Sequence, residues 1–279
     1  MAARHLEIGV CSWSLQVRSI AELQSFVDRL GIDFVQIACG DPHHAAWDEG
    51  DEMPNAALAA NFSLGGAMLG FPGEDYTTPR SIRETGGFGN PATRPERLDR
   101  FEWALERTKA LGLNDLMLHA GFIPEVGDPE RKPFLDTLAK VSQLAAEKRV
   151  TVAFETGQET SRLLRQTLDD LKCPNLKVNF DPANMLLYDM DDPLEAIELL
   201  APDIRTVHVK DAIRTKIPGT WGEEVPLGRG EVNIELFIRA LQKAGYRGPL
   251  FIEREVGTQQ ERFDDIAQGI RLVKECLRR

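Results

Sequence analysis

Short apolar segments alternate with helical segments eight times along the chain, and this alternation restricts the possible folds more than any other feature. The clearest unit runs from Leu176–Phe180 to Ile204–Val209. Between these two predicted strands, Asp192 and Pro193 mark the start of one helix, and Pro202 prevents its continuation. Strand–helix–strand crossovers build parallel sheets, so the two strands are expected to be parallel neighbours.

Six further strands and their helices follow from the same patterns. Residues 72–94 show no periodicity and are interpreted as a long loop, which is typical of functional or mobile segments. The remaining strands are predicted at Leu6–Trp13, Phe34–Ala38, Phe62–Phe71, Asp115–His119, Val150–Glu155 and Leu250–Glu253, with helices over 20–30, 54–61, 95–111, 133–149, 161–171, 233–244 and through 266–277.

Eight β/α units in 279 residues predict a single-domain (β/α)8 TIM barrel spanning residues 1–279. A doubly wound sheet would more often stop at about five or six strands. The chain also lacks the glycine-rich motifs of dinucleotide and nucleoside triphosphate sites.

Composition narrows the range of partners. The net charge of −11 argues against nucleic acid and anionic membrane. No apolar run approaches the roughly 18 residues that cross a bilayer, and the first residues do not resemble a secretory signal. The cysteines are far apart in sequence, which suits a reducing compartment. We therefore expect a soluble, cytoplasmic protein whose partner is a small molecule.

Active sites of TIM barrels lie at the carboxyl ends of the strands, so strand ends are the place to look for chemistry. The last four strands end at Glu155, Asp181, His208 and Glu253. Three carboxylates and an imidazole suit Mn²⁺, Mg²⁺, Co²⁺ or Zn²⁺, with Mn²⁺ or Mg²⁺ favoured by the carboxylates. A dication would also keep three neighbouring carboxylates ionised. We predict that these four residues hold one divalent cation, most simply Mn²⁺.

Each of these residues also has a structural alternative. Asp181 or Glu155 could cap the following helix, and His208 could be a hydrogen-bonded core histidine. Glu253 could form a surface ion pair with a neighbouring residue. The occurrence of all four at consecutive strand ends favours the metal site over four separate coincidences.

Other polar and aromatic residues near strand ends are candidates for substrate binding. His119, Gln158, Asn184 and Lys210 could bond substrate hydroxyls or a developing oxyanion, although a core histidine and a solvated lysine are the alternatives. Trp13 and Trp221 could stack on the apolar face of a substrate ring, although packing is the commoner role of such tryptophans. Loops 72–94 and 213–231 are candidates to close over the substrate, whereas His43 and His44 are interpreted as solvated.

Five motifs in the second half of the chain are characteristic: FETGQE (154–159), NFDPANM (179–185), VHVKDA (207–212), WGEEVPLGRGEV (221–232) and FIERE (251–255). In these motifs the chain resembles the sugar isomerase/epimerase branch of the xylose-isomerase-like barrels, which includes tagatose-3-epimerase-like enzymes and is more distantly related to endonuclease IV. The resemblance implies a (β/α)8 fold and a divalent ion held by Glu155, Asp181, His208 and Glu253. Family members often carry a histidine where this chain has Asn184.

The predicted chemistry is proton transfer through a metal-stabilised enediolate of a keto-sugar or sugar phosphate. Glu155 and Glu253 are the predicted acid/base pair, which gives an epimerase or isomerase. The alternatives are a metal-dependent lyase or hydrolase acting on 3-keto-glycosides through the same enediolate, and an endonuclease IV-like phosphodiesterase. The family resemblance further implies a homodimer or homotetramer, and phosphorylation of the substrate stays open.

Overall fold

Eight parallel strands form a closed barrel in the computed structural model, which describes residues 6–40, 47 and 49–279. The predicted (β/α)8 barrel is thereby confirmed, and it forms a single domain. A short antiparallel pair, β8 (Asp211–Ile213) and β9 (Glu223–Val225), stands outside the barrel sheet. The barrel strands are β1 (Ile8–Cys11), β2 (Phe34–Gly40), β3 (Ser63–Leu69), β4 (Asp115–Leu118), β5 (Thr151–Glu155), β6 (Leu176–Phe180), β7 (Ile204–Val209) and β10 (Leu250–Ile252).

Helices surround the barrel, and local capping explains where several of them start. Ser19, Thr160 and Asp192 each accept a hydrogen bond from a backbone N–H of the first turn, and Thr258 forms a capping box with Glu261. The helices are α1 (Ile20–Leu30), α2 (Met53–Ala59), α3 (Pro79–Thr85), α4 (Arg94–Ala110), α5 (Arg131–Glu147), α6 (Ser161–Leu171), α7 (Pro182–Leu187), α8 (Pro193–Leu200), α9 (Ile234–Lys243) and α10 (Gln259–Arg278).

The barrel interior is filled by side chains. Phe34 and Phe251 stack with their ring centroids 5.3 Å apart. Gly65 makes room for this pair, because a Cβ at that position would lie 2.2 Å from the Phe34 ring. The main core lies between the barrel and the helices, where Phe180 on β6 stacks on Phe237 of α9. The strands are therefore held firmly, and their carboxyl ends have defined positions.

Two expectations about connecting segments were wrong. Residues 72–94 are not entirely loop, because α3 lies within them; its start is set by Pro79 and a Thr78–Ser81 capping box rather than by apolar periodicity. The connection between β6 and β7 contains two helices instead of one. Asp181 caps the additional helix α7 and Pro182 opens it, which repeats the Asp192–Pro193 pattern at the start of α8.

The remaining differences concern element boundaries. The first strand ends at Cys11, and Ser12 and Trp13 lie in a short 3-10 turn.

The prediction for His43 and His44 falls outside the described residues. Within the described ranges, no helix combines the length and the apolar character needed to cross a membrane.

Candidate active site

The four side chains that were predicted at the strand ends lie close together in the structure. Glu155 ends β5, Asp181 follows β6, His208 lies in β7, and Glu253 follows β10. These strands are consecutive neighbours in the barrel. One ligand atom from each residue lies within 4.8 Å of the others, and all four residues are buried. The arrangement suits a cation held from four sides by oxygen and nitrogen donors.

One nitrogen of His208 faces the carboxylates. Its Nδ1 lies 2.7 Å from Glu155 Oε1, 3.4 Å from Glu253 Oε2 and 3.7 Å from Asp181 Oδ2. Burial by itself lowers the pKa of His208, but the charges of Glu253 and Glu155 raise that pKa well above its ordinary value. The electrostatics therefore demand a positive species beside Nδ1, which is either a proton or a metal ion.

Gln36 holds the other nitrogen of the same ring. His208 Nε2 lies 2.7 Å from Gln36 Oε1, and this oxygen can only accept a hydrogen bond. The proton of a neutral imidazole is thus placed on Nε2, which leaves the Nδ1 lone pair directed at the carboxylate cluster. That tautomer is the one a metal ligand needs.

Asp181 combines the capping and ligand roles that the sequence presented as alternatives. Its Oδ1 accepts the backbone N–H groups of Ala183 and Asn184 at 2.8 and 2.9 Å and so caps α7. Its Oδ2 is buried and has no hydrogen-bond partner among the described residues. Burial, together with the charges of Glu253 and Glu155, raises the pKa of Asp181 to about 6. A buried oxygen without a donor is what a cation would satisfy, so the residues present fit a metal ion.

The two glutamates of the cluster each have a second oxygen with its own hydrogen-bond donor. His119 Nε2 lies 2.9 Å from Glu155 Oε2. Glu253 accepts from Trp13 Nε1 at 2.6 Å through Oε1 and from Lys210 Nζ at 3.0 Å through Oε2. Burial raises the pKa of Glu253, but the charges of Lys210 and His208 outweigh burial and hold the pKa well below its usual range. Both carboxylates are therefore fixed in position by the protein.

A cavity of about 620 Å³ opens onto this cluster. Glu155 and Glu253 line it, and its wall is otherwise rich in aromatic and apolar side chains. Loop 72–94 contributes Tyr76, and loop 213–231 contributes Trp221, whose Nε1 donates to the Tyr76 carbonyl oxygen at 3.1 Å. The two loops are thus bonded to each other in the wall of the cavity, and their closure over a substrate stays a prediction.

Most of the proposed substrate-binding residues line this cavity. Gln158 does not, because its side chain is buried and its Nε2 donates to Tyr188 at 3.3 Å. The cavity-lining members of the predicted set are Trp13, His119, Asn184, Lys210 and Trp221.

Sequence reasoning gave no role to several residues of the site. Gln36 is one of them; the signal that could have indicated it is an amide side chain within the otherwise apolar strand β2, where Gln36 is fully buried. Tyr188 lies at the end of α7, a helix that was not anticipated. The carboxylate of Asp211 accepts the backbone N–H groups of residues 212, 228, 230 and 232.

A model of the family described as xylose isomerase-like TIM barrel matches residues 24–276. The chain belongs to this family. L-ribulose-5-phosphate 3-epimerase of Escherichia coli O17:K52:H18 is 29% identical over 196 residues, which cover 67% of this chain and 66% of that enzyme. The alignment thus spans just under two thirds of the curated relative.

Solved structures resemble the chain over nearly its whole length. The xylose isomerase domain protein from Planctomyces limnophilus is 29% identical, with a TM-score of 0.85 over 98% of this chain and 96% of that one. IolI, solved with a bound zinc atom, is 15% identical, with a TM-score of 0.74 over 97% and 99% of the two chains. At that identity, the likeness to IolI concerns the fold alone.

Proposed function

We propose that the protein is a divalent-metal-dependent epimerase or isomerase of a keto-sugar. The observation that carries this proposal is the buried cluster of Glu155, Asp181, His208 and Glu253, whose ligand atoms lie within 4.8 Å of one another beside a cavity. The epimerase name of the Escherichia coli relative supports the same reaction class. Three carboxylates and one imidazole favour Mn²⁺ among the possible ions.

The reaction removes a proton from a carbon that lies between a carbonyl and a hydroxyl group. A bound dication would stabilise the negative charge that develops on the two substrate oxygens. Glu155 and Glu253 both line the cavity, so one can accept the proton and the other can return one. Return to the opposite face of the same carbon gives epimerisation, and return to the neighbouring carbon gives isomerisation.

Neighbouring residues keep the two glutamates in place for this proton transfer. His119 holds Glu155 through one oxygen, whereas Trp13 and Lys210 hold Glu253. These bonds fix the carboxylates before the substrate arrives, which lowers the reorganisation needed in the transition state.

The test is deuterium exchange. The protein loaded with Mn²⁺ is incubated with keto-sugars in D₂O, and deuterium is measured at the carbon next to the carbonyl. Glu155→Gln and Glu253→Gln should each slow exchange by about 100- to 10,000-fold at saturating metal, as expected for loss of an acid/base group. Glu102→Gln on the exposed side of α4 is the matched control and should exchange normally. Equal exchange rates in all three variants would refute the acid/base assignment.

Assembly is a separate proposal. We propose a homodimer or homotetramer, on the family resemblance alone. Light scattering on the purified protein measures the mass directly, and the 31.2 kDa mass of one chain would contradict the proposal.

A further inference from the structure

The ammonium group of Lys210 is surrounded by protein carboxylates. Its Nζ lies 2.5 Å from Glu255 Oε2, 3.0 Å from Glu253 Oε2 and 3.8 Å from Glu224 Oε2. Asn184 Oδ1 also accepts from it at 3.4 Å. The positive charge of Lys210 is therefore already balanced, and a substrate phosphate would have to compete with three carboxylates for it.

A second positively charged side chain that lines the cavity is also bonded to protein oxygen atoms. In the described part of the chain, Arg262 is the only arginine that lines the cavity. Its Nε donates to the Gly257 carbonyl oxygen at 3.1 Å, and another guanidinium nitrogen donates to the Glu255 carbonyl oxygen. Lys210 and Arg262, the lysine and arginine that line the described cavity, are thus both already bonded to protein oxygen atoms.

Four aromatic residues, Trp13, Tyr76, Tyr188 and Trp221, contribute to the wall of the cavity. Trp221 and Tyr188 pack edge to face with ring centroids 4.7 Å apart, and Phe122 supports Tyr188 from behind at 5.9 Å. The bond from Trp221 to the Tyr76 backbone fixes the indole plane. Such a wall binds the apolar face of a ring. The volume of about 620 Å³ is typical of cavities that enclose ligands larger than a monosaccharide.

We propose that the substrate is an uncharged keto-glycoside, a keto-sugar that carries a second ring, rather than a sugar phosphate. The keto-sugar ring lies at the cluster of four proposed metal ligands, and the second ring lies against Trp221 and Tyr188. This inference rests on the proposed function and specifies its substrate class. It separates the chain from its Escherichia coli relative, which is named for a phosphorylated ketose.

Three related compounds test the substrate class: 3-keto-glucose, its 6-phosphate and its phenyl β-glycoside. Exchange with D₂O is measured for each on the Mn²⁺-loaded protein, and binding is measured separately by quenching of tryptophan fluorescence. The glycoside should bind roughly tenfold more tightly than free 3-keto-glucose, and the phosphate should bind more weakly than either. Preference for the phosphate in binding and exchange would overturn the inference but keep the proposed function. Absence of exchange with all three, while free ketoses exchange, would also overturn the inference; absence of exchange with every keto-sugar would instead refute the proposed function.

Two sets of variants test the structural reason. Trp221→Ala should remove the roughly tenfold preference for the glycoside, whereas Trp221→Phe should retain most of it. Glu255→Gln takes one carboxylate away from Lys210 and should improve binding of the 6-phosphate relative to 3-keto-glucose by roughly fivefold. Glu223→Gln, an exposed glutamate on β9, is the matched control. The proposed substrate class would be contradicted if Trp221→Ala left the glycoside preference unchanged and Glu255→Gln left the relative affinity for the 6-phosphate unchanged.

Discussion

Gln36 decides which nitrogen of His208 is directed at the carboxylates. It does so from β2, on the far side of the barrel interior from Asp181 and β6. The amide oxygen accepts at 2.7 Å from His208 and at 3.6 Å from the Cys11 thiol, so two donors point at one acceptor. This contact explains a polar side chain that would otherwise be costly in a fully buried strand.

Gln36→Leu is therefore expected to weaken metal binding although it replaces none of the four proposed metal ligands. The Nε2–H of His208 would lose its acceptor, and Mn²⁺ affinity should fall by about 10- to 100-fold. Isothermal titration of Mn²⁺ into the protein measures the change. Gln36→Glu keeps an acceptor oxygen and should retain more affinity than Gln36→Leu. A folded Gln36→Leu protein with unchanged affinity would show that the tautomer does not depend on this contact.

At the scale of secondary-structure elements, Asp211 fixes the end of one long loop. Its two oxygens accept four backbone N–H groups, three of them from residues 228–232. Gly230 permits this close approach, since a Cβ there would lie 2.2 Å from Asp211 Oδ1. The loop that carries Trp221 and Glu224 is thus fixed at its end by one carboxylate.

Asp211→Ala should loosen this loop. Several buried N–H groups would lose their acceptor, and we expect the free energy of unfolding to fall by about 2–3 kcal/mol. Hydrogen–deuterium exchange should show lost protection at Gly228, Gly230 and Val232. Asp211→Asn keeps one acceptor oxygen and should show an intermediate loss. Unchanged protection in Asp211→Ala would contradict the role of this carboxylate.

Asp203 joins α6, β6 and β7 through a pair of ionic contacts. It bonds Arg165 of α6 and Lys177 of β6 directly before β7 begins. Burial acts to raise its pKa, but the hydrogen bonds from Arg165 and Lys177 prevail and lower the pKa below the ordinary aspartate value. A folded-state pKa below the unfolded value stabilises the fold above the unfolded pKa, and this contribution is lost as pH falls through the folded pKa.

Asp203→Asn should therefore destabilise the protein at neutral pH and have little effect in strong acid. We expect a loss of about 1–2 kcal/mol at pH 7, which shrinks as the pH falls below about 3.9. Urea unfolding at several pH values measures it. Asp169→Asn is the matched control, because Asp169 bonds the same Arg165 from a side chain that is 65% exposed, and it should cost little. A pH-independent loss for Asp203→Asn would contradict the electrostatic explanation.

At the scale of the whole molecule, a bound cation would couple metal binding to folding, because the four proposed ligands lie on or directly after four barrel strands. Binding only to the folded state stabilises it by about 2.7 kcal/mol at a metal concentration about 100 times the Kd. For a chain of this size we expect a rise in Tm of about 5–10 °C. Calorimetry with and without Mn²⁺ measures it. Asp181→Asn should abolish the rise, whereas Asp136→Asn on the exposed face of α5 should keep it. A full rise in Asp181→Asn would remove Asp181 from the ligand set.

Much of this organisation could be predicted from local sequence patterns. The bounds of α6, β6 and β7 follow from apolar runs, caps and prolines, because those signals act within a few residues. The four strand-end residues could be found as well, since the barrel places every strand's carboxyl end at one face. The short helices α3 and α7 escaped prediction because seven and six residues make less than two turns, which is too short to show a helical period.

Contacts between distant residues were decided by the tertiary structure alone. Gln36 and His208 are 172 positions apart, and Trp13 and Glu253 are 240 apart, so no local pattern links them. The balance of charge around Lys210 likewise depends on Glu224, Glu253 and Glu255 meeting at one point. The sequence by itself determined a barrel with a set of donors at its mouth. Only barrel closure, which brings β10 against both β1 and β7, decided which donors meet and which charges cancel.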